Sequence, residues 1–313
     1  MHTTQKNTIR AFSALFLLTL IWGYNWVVMK TAVQYATPFQ FAALRTTLGA
    51  IVLFGVIAAT NRPLKLQEFP TMLLLGLLQT CGFTGLLIWA LVHGGAGKTA
   101  VLSYTMPFWV MLFAWPILGE KVKGWQWLAV ILAIAGITLV FEPQRFFEPN
   151  NHYSQATIIS MVMALFSGIF WAISAIVSKK LNKRRPDLDV LNITAWPMLL
   201  GSIPIIIAAL ILPAPAVNWH PTFIATVVYS MFLSGALAWV CWAYALQHLP
   251  AGSASMGSML APVIGVLSAW LQLGEVPSHI ALIGMLFVAL ALVLISVITI
   301  RKHQPVCIAE GQE

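Results

Sequence analysis

From Ala11 to Ile300 the sequence is a train of ten apolar runs, each close to 20 residues and each set off from the next by a short link. A helix rises about 1.5 Å per residue, so a run of about 20 covers the roughly 30 Å hydrocarbon layer of a bilayer. The predicted spans are 11–29, 38–59, 70–92, 99–118, 125–141, 156–178, 189–212, 222–247, 251–273 and 278–300. Lys6 and Arg10 ahead of the first run imitate a secretory signal, but that run is too long for the usual core and has no small-residue cleavage site. Pro38, Pro63, Pro70, Pro143, Pro149, Pro186, Pro213, Pro215 and Pro221 all fall at or near proposed ends, where turns and first helical turns accept proline. With only 8% charged residues, against about 25% in soluble domains, the fold class is an all-α membrane protein.

The chain also repeats itself. Trp89–Glu120 and Tyr244–Glu275, 155 residues apart, are identical at 13 of 32 positions without a gap. Shared apolar bias explains Leu and Ala matches, but not His93/His248, Gly97/Gly252, Ser103/Ser258, Pro107/Pro262, Trp115/Trp270 and the Gly-Glu pair in one register. Trp22 and Lys30 likewise stand 149 residues before Trp171 and Lys179. Two five-helix repeats are therefore expected, 11–141 and 156–300. Because five is odd, the second must cross the membrane inverted relative to the first. Inverted repeats place a solute site near mid-membrane, between halves that rock about it.

Lysine and arginine set the orientation. With the N-terminus in the cytoplasm, 13 of the 17 fall on the cytoplasmic side, densest at Lys179–Arg185, so both termini are expected there. The net charge of +8 is distributed over links and tails, not along one amphipathic face, which argues for topology and against nucleic acid. Cys81 and Cys241 lie within apolar runs and Cys307 in the C-terminal tail, so neither a disulfide nor a metal site is expected.

The segment IWGYNWVVMK at Ile21–Lys30, the Pro-x(11)-Gly-Glu pattern in both halves and the five-plus-five layout resemble the EamA family of the drug/metabolite transporter superfamily. The resemblance runs from Phe12 to Arg301. It implies a bacterial inner-membrane carrier, commonly an exporter of amino acids or other small metabolites, with a cavity lined by spans one, three, four, six, eight and nine.

Candidate cavity residues follow from depth and register. Trp22, Asn25, Trp26 and Met29 share one face of span one, and an amide as deep as Asn25 must find a partner in a solute or another helix. Trp171 and Ser174 are their counterparts in span six. Gln79, Tyr104, Trp239, Trp242 and Tyr244 are further polar or aromatic candidates, and Met256 and Met259 would add adaptable surface. Arg45 lies inside span two, where a charge is costly and functional by default, as an outer-leaflet anchor for a substrate carboxylate or lipid phosphate; the alternative is that, two turns from the outer end, it snorkels to the interface. Both repeats keep Ser-x-x-x-Pro; Pro107 and Pro262 each free the carbonyl four residues back, that of Ser103 or Ser258, making these breaks hinge candidates. Glu120 and Glu275 are read as structural, and His93 and His248 as interfacial.

No H-E-x-x-H, G-x-S-x-G or paired intramembrane carboxylates suggest an enzyme, and the links are too short for a receptor's soluble part. The expected function is alternating-access transport of small organic metabolites, most plausibly export of amino acids or similar amphipathic solutes. Translocation of a lipid or lipid carrier is the rival. The expected partners are the solute and membrane lipid, without cofactor or nucleic acid, and the chain is expected to act as a monomer.

Overall fold

The computed structural model describes residues 2–119, 121–144, 154–248 and 260–303. Among them every long element is helical: α1 (His2–Ala32), α2 (Pro38–Ala59), α3 (Phe69–Leu75), π1 (Gly76–Thr84), α4 (Gly85–His93), α5 (Ala96–Ser103), α6 (Met106–Leu118), α7 (Trp125–Phe141), α8 (Gln155–Arg184), α9 (Asn192–Ile211), α10 (Pro221–Val228), π2 (Tyr229–Leu237), α11 (Ala238–His248), α12 (Ala261–Leu273) and α13 (His279–His303). Eight helical stretches among the described residues are long and apolar enough to cross a bilayer, while α7 and α12, with 17 and 13 residues, are shorter. The start of the expected ninth run lies outside the described residues. Large apolar side chains such as Leu210, Ile211 and Leu271 stand exposed on the outer surface, as a bilayer requires and water would penalise.

Local chemistry explains the helix ends. Thr37 opens α2 with a capping box: its Oγ1 accepts from Gln40 N at 3.4 Å, the Gln40 side chain accepts from Thr37 N at 2.9 Å, and Pro38 sits in the first turn. Ser154 caps α8 more simply, its Oγ accepting from Thr157 N at 3.2 Å. The duplicated glycines Gly119 and Gly274 terminate α6 and α12 with φ of 72° and 67°, a left-handed conformation that a side chain would strain. Backbone geometry thus accounts for the glycine of each Gly-Glu pair.

Packing alternates between the early and late parts of the chain. α2 lies on α9 and π2, while α9 also lies on π1; α1 packs on α11 and α12, and α8 on α4 and α6; α7 pairs with α13. In lipid, where apolar burial gives little drive, close backbone contact has to supply the attraction. A Cβ on Gly136 of α7 would fall 2.7 Å from the Gly284 carbonyl of α13, and the reverse distance is also 2.7 Å.

Ionic contacts sort the helix ends into two groups. At one end Arg62 pairs with Asp189, and Arg184 and Arg185 with Glu68. Two residues of the basic cluster read as a topology signal, Arg184 and Arg185, are therefore also tied to carboxylates. At the other end Gln40 reaches the Pro215 carbonyl, and the Glu142 carboxylate, 1% exposed, binds Lys98 and Ser278.

Candidate functional site

A cavity of about 630 Å³ lies between the early and late helices, within the usual 300–1,000 Å³ range of small-molecule sites. Of the residues expected there, Trp22, Asn25, Gln79, Ser103, Tyr104 and Pro107 line it, as do Trp171, Trp239 and Trp242. Arg45 and its neighbour Met29 border it as well. Ser174 does not: its hydroxyl turns back to the Trp171 carbonyl of its own helix at 2.7 Å and is buried, because a helix carbonyl three residues back is the nearest acceptor. Tyr244 also falls outside the lining and lies tilted against His248, ring centres 4.2 Å apart. Ser258, Met256 and Met259 lie outside the described residues.

The aromatic residues are arranged as a connected wall. Trp22 meets Trp239 edge-on at 5.4 Å and Trp242 at 6.2 Å; Trp239 then meets Trp171 at 6.4 Å, which rests against Phe83 at 4.8 Å. Trp22 and Trp171, singled out as counterparts by register, thus converge on one ring. The Trp22 indole N–H donates to the Ser234 carbonyl at 3.4 Å, holding this ring at the wall. On the other flank Trp26 lies 6.1 Å from Tyr104.

Two π-helical stretches carry much of the polar lining, and nothing in the sequence reading anticipated them. π1 contributes Gln79, Thr80 and Thr84, and π2 contributes Ser230 and Ser234. Both stretches are nine residues long, and each occupies the middle of a span. A π turn widens the helix and leaves backbone groups with poorer intrahelical bonds, which is why such turns collect at functional sites. Thr84 Oγ1 donates five residues back, to the Gln79 carbonyl at 3.4 Å. π1 is pressed on α9 where a Cβ on Gly201 would stand 2.1 Å from the Gly76 carbonyl, and Thr80 Oγ1 donates to Pro197 O at 3.3 Å.

The Pro107 break is sharper than a kink. The span divides into α5, which ends at Ser103, and α6, which starts at Met106 with Pro107 in its first turn. The Ser103 carbonyl, deprived of its helical donor by Pro107, lies against Gly168 of α8: a Cβ there would be 2.9 Å away. The Ser103 hydroxyl contacts Ser167 Oγ at 3.0 Å, so Ser103 joins α5 to α8 while bordering the cavity. Pro262 occupies the first turn of α12 and is buried outside the lining. Pro116, Pro197 and Pro204, not singled out from sequence, lie inside α6 and α9.

The turn between α4 and α5 is held from two sides. Lys30 Nζ donates to the carbonyls of Leu91, Val92 and Gly94 at 2.6, 3.3 and 2.9 Å, placing a cation on the negative end of α4. Glu275 Oε2 accepts from Gly97 N at 3.2 Å at the start of α5. Lys30, matched by register with Lys179, and Glu275, read as structural, therefore grip the same turn. Arg45 and Met29 lie towards this turn, and Lys179 lines the cavity towards the Arg184 end.

Asn25 Oδ1 and Ser230 Oγ are buried without a hydrogen-bond partner among the described residues. No group of three His, Cys, Asp or Glu able to hold a metal occurs among the described residues.

The model of the EamA-like transporter family matches residues 9–142 and again 158–297. The chain belongs to the EamA-like transporter family. Within the drug/metabolite transporter superfamily it is thus a multi-pass membrane transporter. It is similar to the uncharacterized transporter YoaV of Bacillus subtilis (strain 168), 27% identical over 270 residues that cover 85% of this chain and 90% of that protein. It is also similar to a probable amino-acid metabolite efflux pump of Escherichia coli (strain K12), 27% identical over 268 residues, 83% of this chain and 85% of that one. A solved crystal structure shares the fold of this EamA-like chain with a TM-score of 0.66 at 16% identity, covering 96% of this chain and 99% of the other.

Proposed function

We propose that this transporter exports small amphipathic metabolites, amino acids or similar solutes, across a bacterial inner membrane. In this reading ten spans form two inverted five-helix repeats, and the cavity opens alternately to either side, with both termini in the cytoplasm. The observation that carries the reading is the aromatic wall, in which Trp22 and Trp171, one from each proposed half, meet on Trp239 around a cavity of solute size.

Three further features support the repeat. The family model matches once in each half. π1 and π2 fall in corresponding spans. Exchanging the halves turns the α2–π2 contact into α9–π1 and the α1–α11 contact into α8–α4, while α2–α9 and α7–α13 map onto themselves. Halves packed this way can rock about the cavity between them. The amino-acid assignment draws on the printed name of the Escherichia coli relative, and sidedness on the distribution of basic residues.

The test is purified protein in liposomes loaded with labelled amino acids, sugars or nucleobases, with efflux followed in the presence and absence of a pH gradient. Protein-dependent efflux of amino acids is expected. Loss of the lipid from one leaflet of the same liposomes without any efflux would favour the lipid-translocator alternative.

A further inference from the structure

Arg45 sits about two turns into α2, half-buried, and lines the cavity. Its recorded partner is the Met29 sulfur, a weak acceptor without charge. Among the described residues no aspartate or glutamate lines the cavity and Arg45 is in no ion pair. A guanidinium held at membrane depth without a counter-charge is costly, and its planar fork matches a carboxylate.

Beside it on α1 the polar and apolar contacts come in sequence. Met29, against the guanidinium, is one helical turn from Asn25, whose Oδ1 is buried and has no partner among the described residues. Trp22 lies another turn along and begins the aromatic wall. Positive charge, acceptor and apolar surface thus succeed one another along one cavity face.

We propose that Arg45 is the carboxylate anchor of the transport site. On the reading given under Proposed function, the solute is then an amphipathic acid of the α-amino-acid type. Its carboxylate pairs with Arg45, its N–H donates to Asn25 Oδ1, and its apolar body lies against Trp22, Trp239 and Trp171. Cationic amines and carboxamides of the same shape are rejected, since each leaves the guanidinium without an anion.

The experiment is isothermal titration of the detergent-purified full chain with L-phenylalanine, L-phenylalaninamide, 3-phenylpropionate and phenethylamine. Phenylalanine is expected to bind tightest, and the amide and the amine at least tenfold more weakly. An amide or amine within tenfold of phenylalanine, or no binding by either carboxylate, overturns the inference. Arg45→Met should weaken phenylalanine at least tenfold and erase the preference for acid over amine, with Arg45→Lys intermediate. Unchanged binding by a folded Arg45→Met protein overturns it as well. If Arg45→Met does not fold, the four-solute series on the unaltered chain decides. Binding with the expected preference but no movement into liposomes would refute the transport reading of these solutes and leave the anchor standing.

Discussion

Replacing Lys30 by Met removes the cation that ties α1 to the α4–α5 turn while keeping a chain of similar length, and the loosened turn is expected to open more readily. Its three contacts at 2.6, 2.9 and 3.3 Å end on carbonyls that the helix itself leaves unbonded. A hydrogen bond to a charged group contributes about 1.5–3 kcal/mol net, and the half-buried ammonium gives part of that back in desolvation. A loss of about 3 kcal/mol for the cluster is the reasonable scale, equivalent to roughly 150-fold in the ratio of closed to open forms at that turn. The assay is labelling of Thr84→Cys, a cavity position, by a membrane-impermeant maleimide in a background lacking Cys81, Cys241 and Cys307. Labelling from the side of the Gly94–Gly97 turn should rise at least tenfold in Lys30→Met and only modestly in Lys30→Arg. Equal labelling of folded wild-type and Lys30→Met protein from that side would refute the gating role of the contact.

Other outcomes follow from single contacts. Trp22→Ala and Trp171→Ala should each reduce transport severalfold at wild-type abundance, since each removes ring contacts of about 0.5–1.5 kcal/mol from the wall; normal transport by both would make these rings mere packing. Gly201→Ala sets a methyl 2.1 Å from the Gly76 carbonyl and should cost about 1–3 kcal/mol or more, read as a lower melting temperature in detergent. Glu142→Gln removes the buried carboxylate that pairs with Lys98, and the same melting assay should register a lower melting temperature. Pro107→Ala restores a donor for Ser103 O, so two-sided labelling of a cavity cysteine should show slower exchange between the open forms; unchanged labelling and transport would leave the break as a packing feature.

Features governed by local periodicity were legible in the sequence. Span limits such as 38–59 agree with α2, because an apolar run and its Thr-Pro start are both local signals. Trp22 and Trp171 could be matched by register alone, and the Gly119/Gly274 duplication marks a backbone conformation that tolerates little else. The π stretches were not legible, because Gly76–Thr84 and Tyr229–Leu237 have ordinary membrane-helix composition and their wide turn depends on packing against α9 and α2. Register also misplaced Ser174, since matching a residue to Asn25 says nothing of whether a short hydroxyl prefers its own helix. Glu142 was missed because its burial arises only when α7 and α13 come together and bring Ser278 and Lys98 to it.

The central claim is that one cavity takes up a solute and carries it across, and counterflow tests this most directly. Liposomes containing the protein are preloaded with unlabelled L-phenylalanine and diluted into a trace of labelled solute. A carrier with a single alternately exposed site must exchange the trace inward, so the account predicts a transient accumulation of label above equilibrium that is absent from protein-free liposomes. Label that rises only to equilibrium, with no overshoot, would mean an open passage and would contradict alternating access.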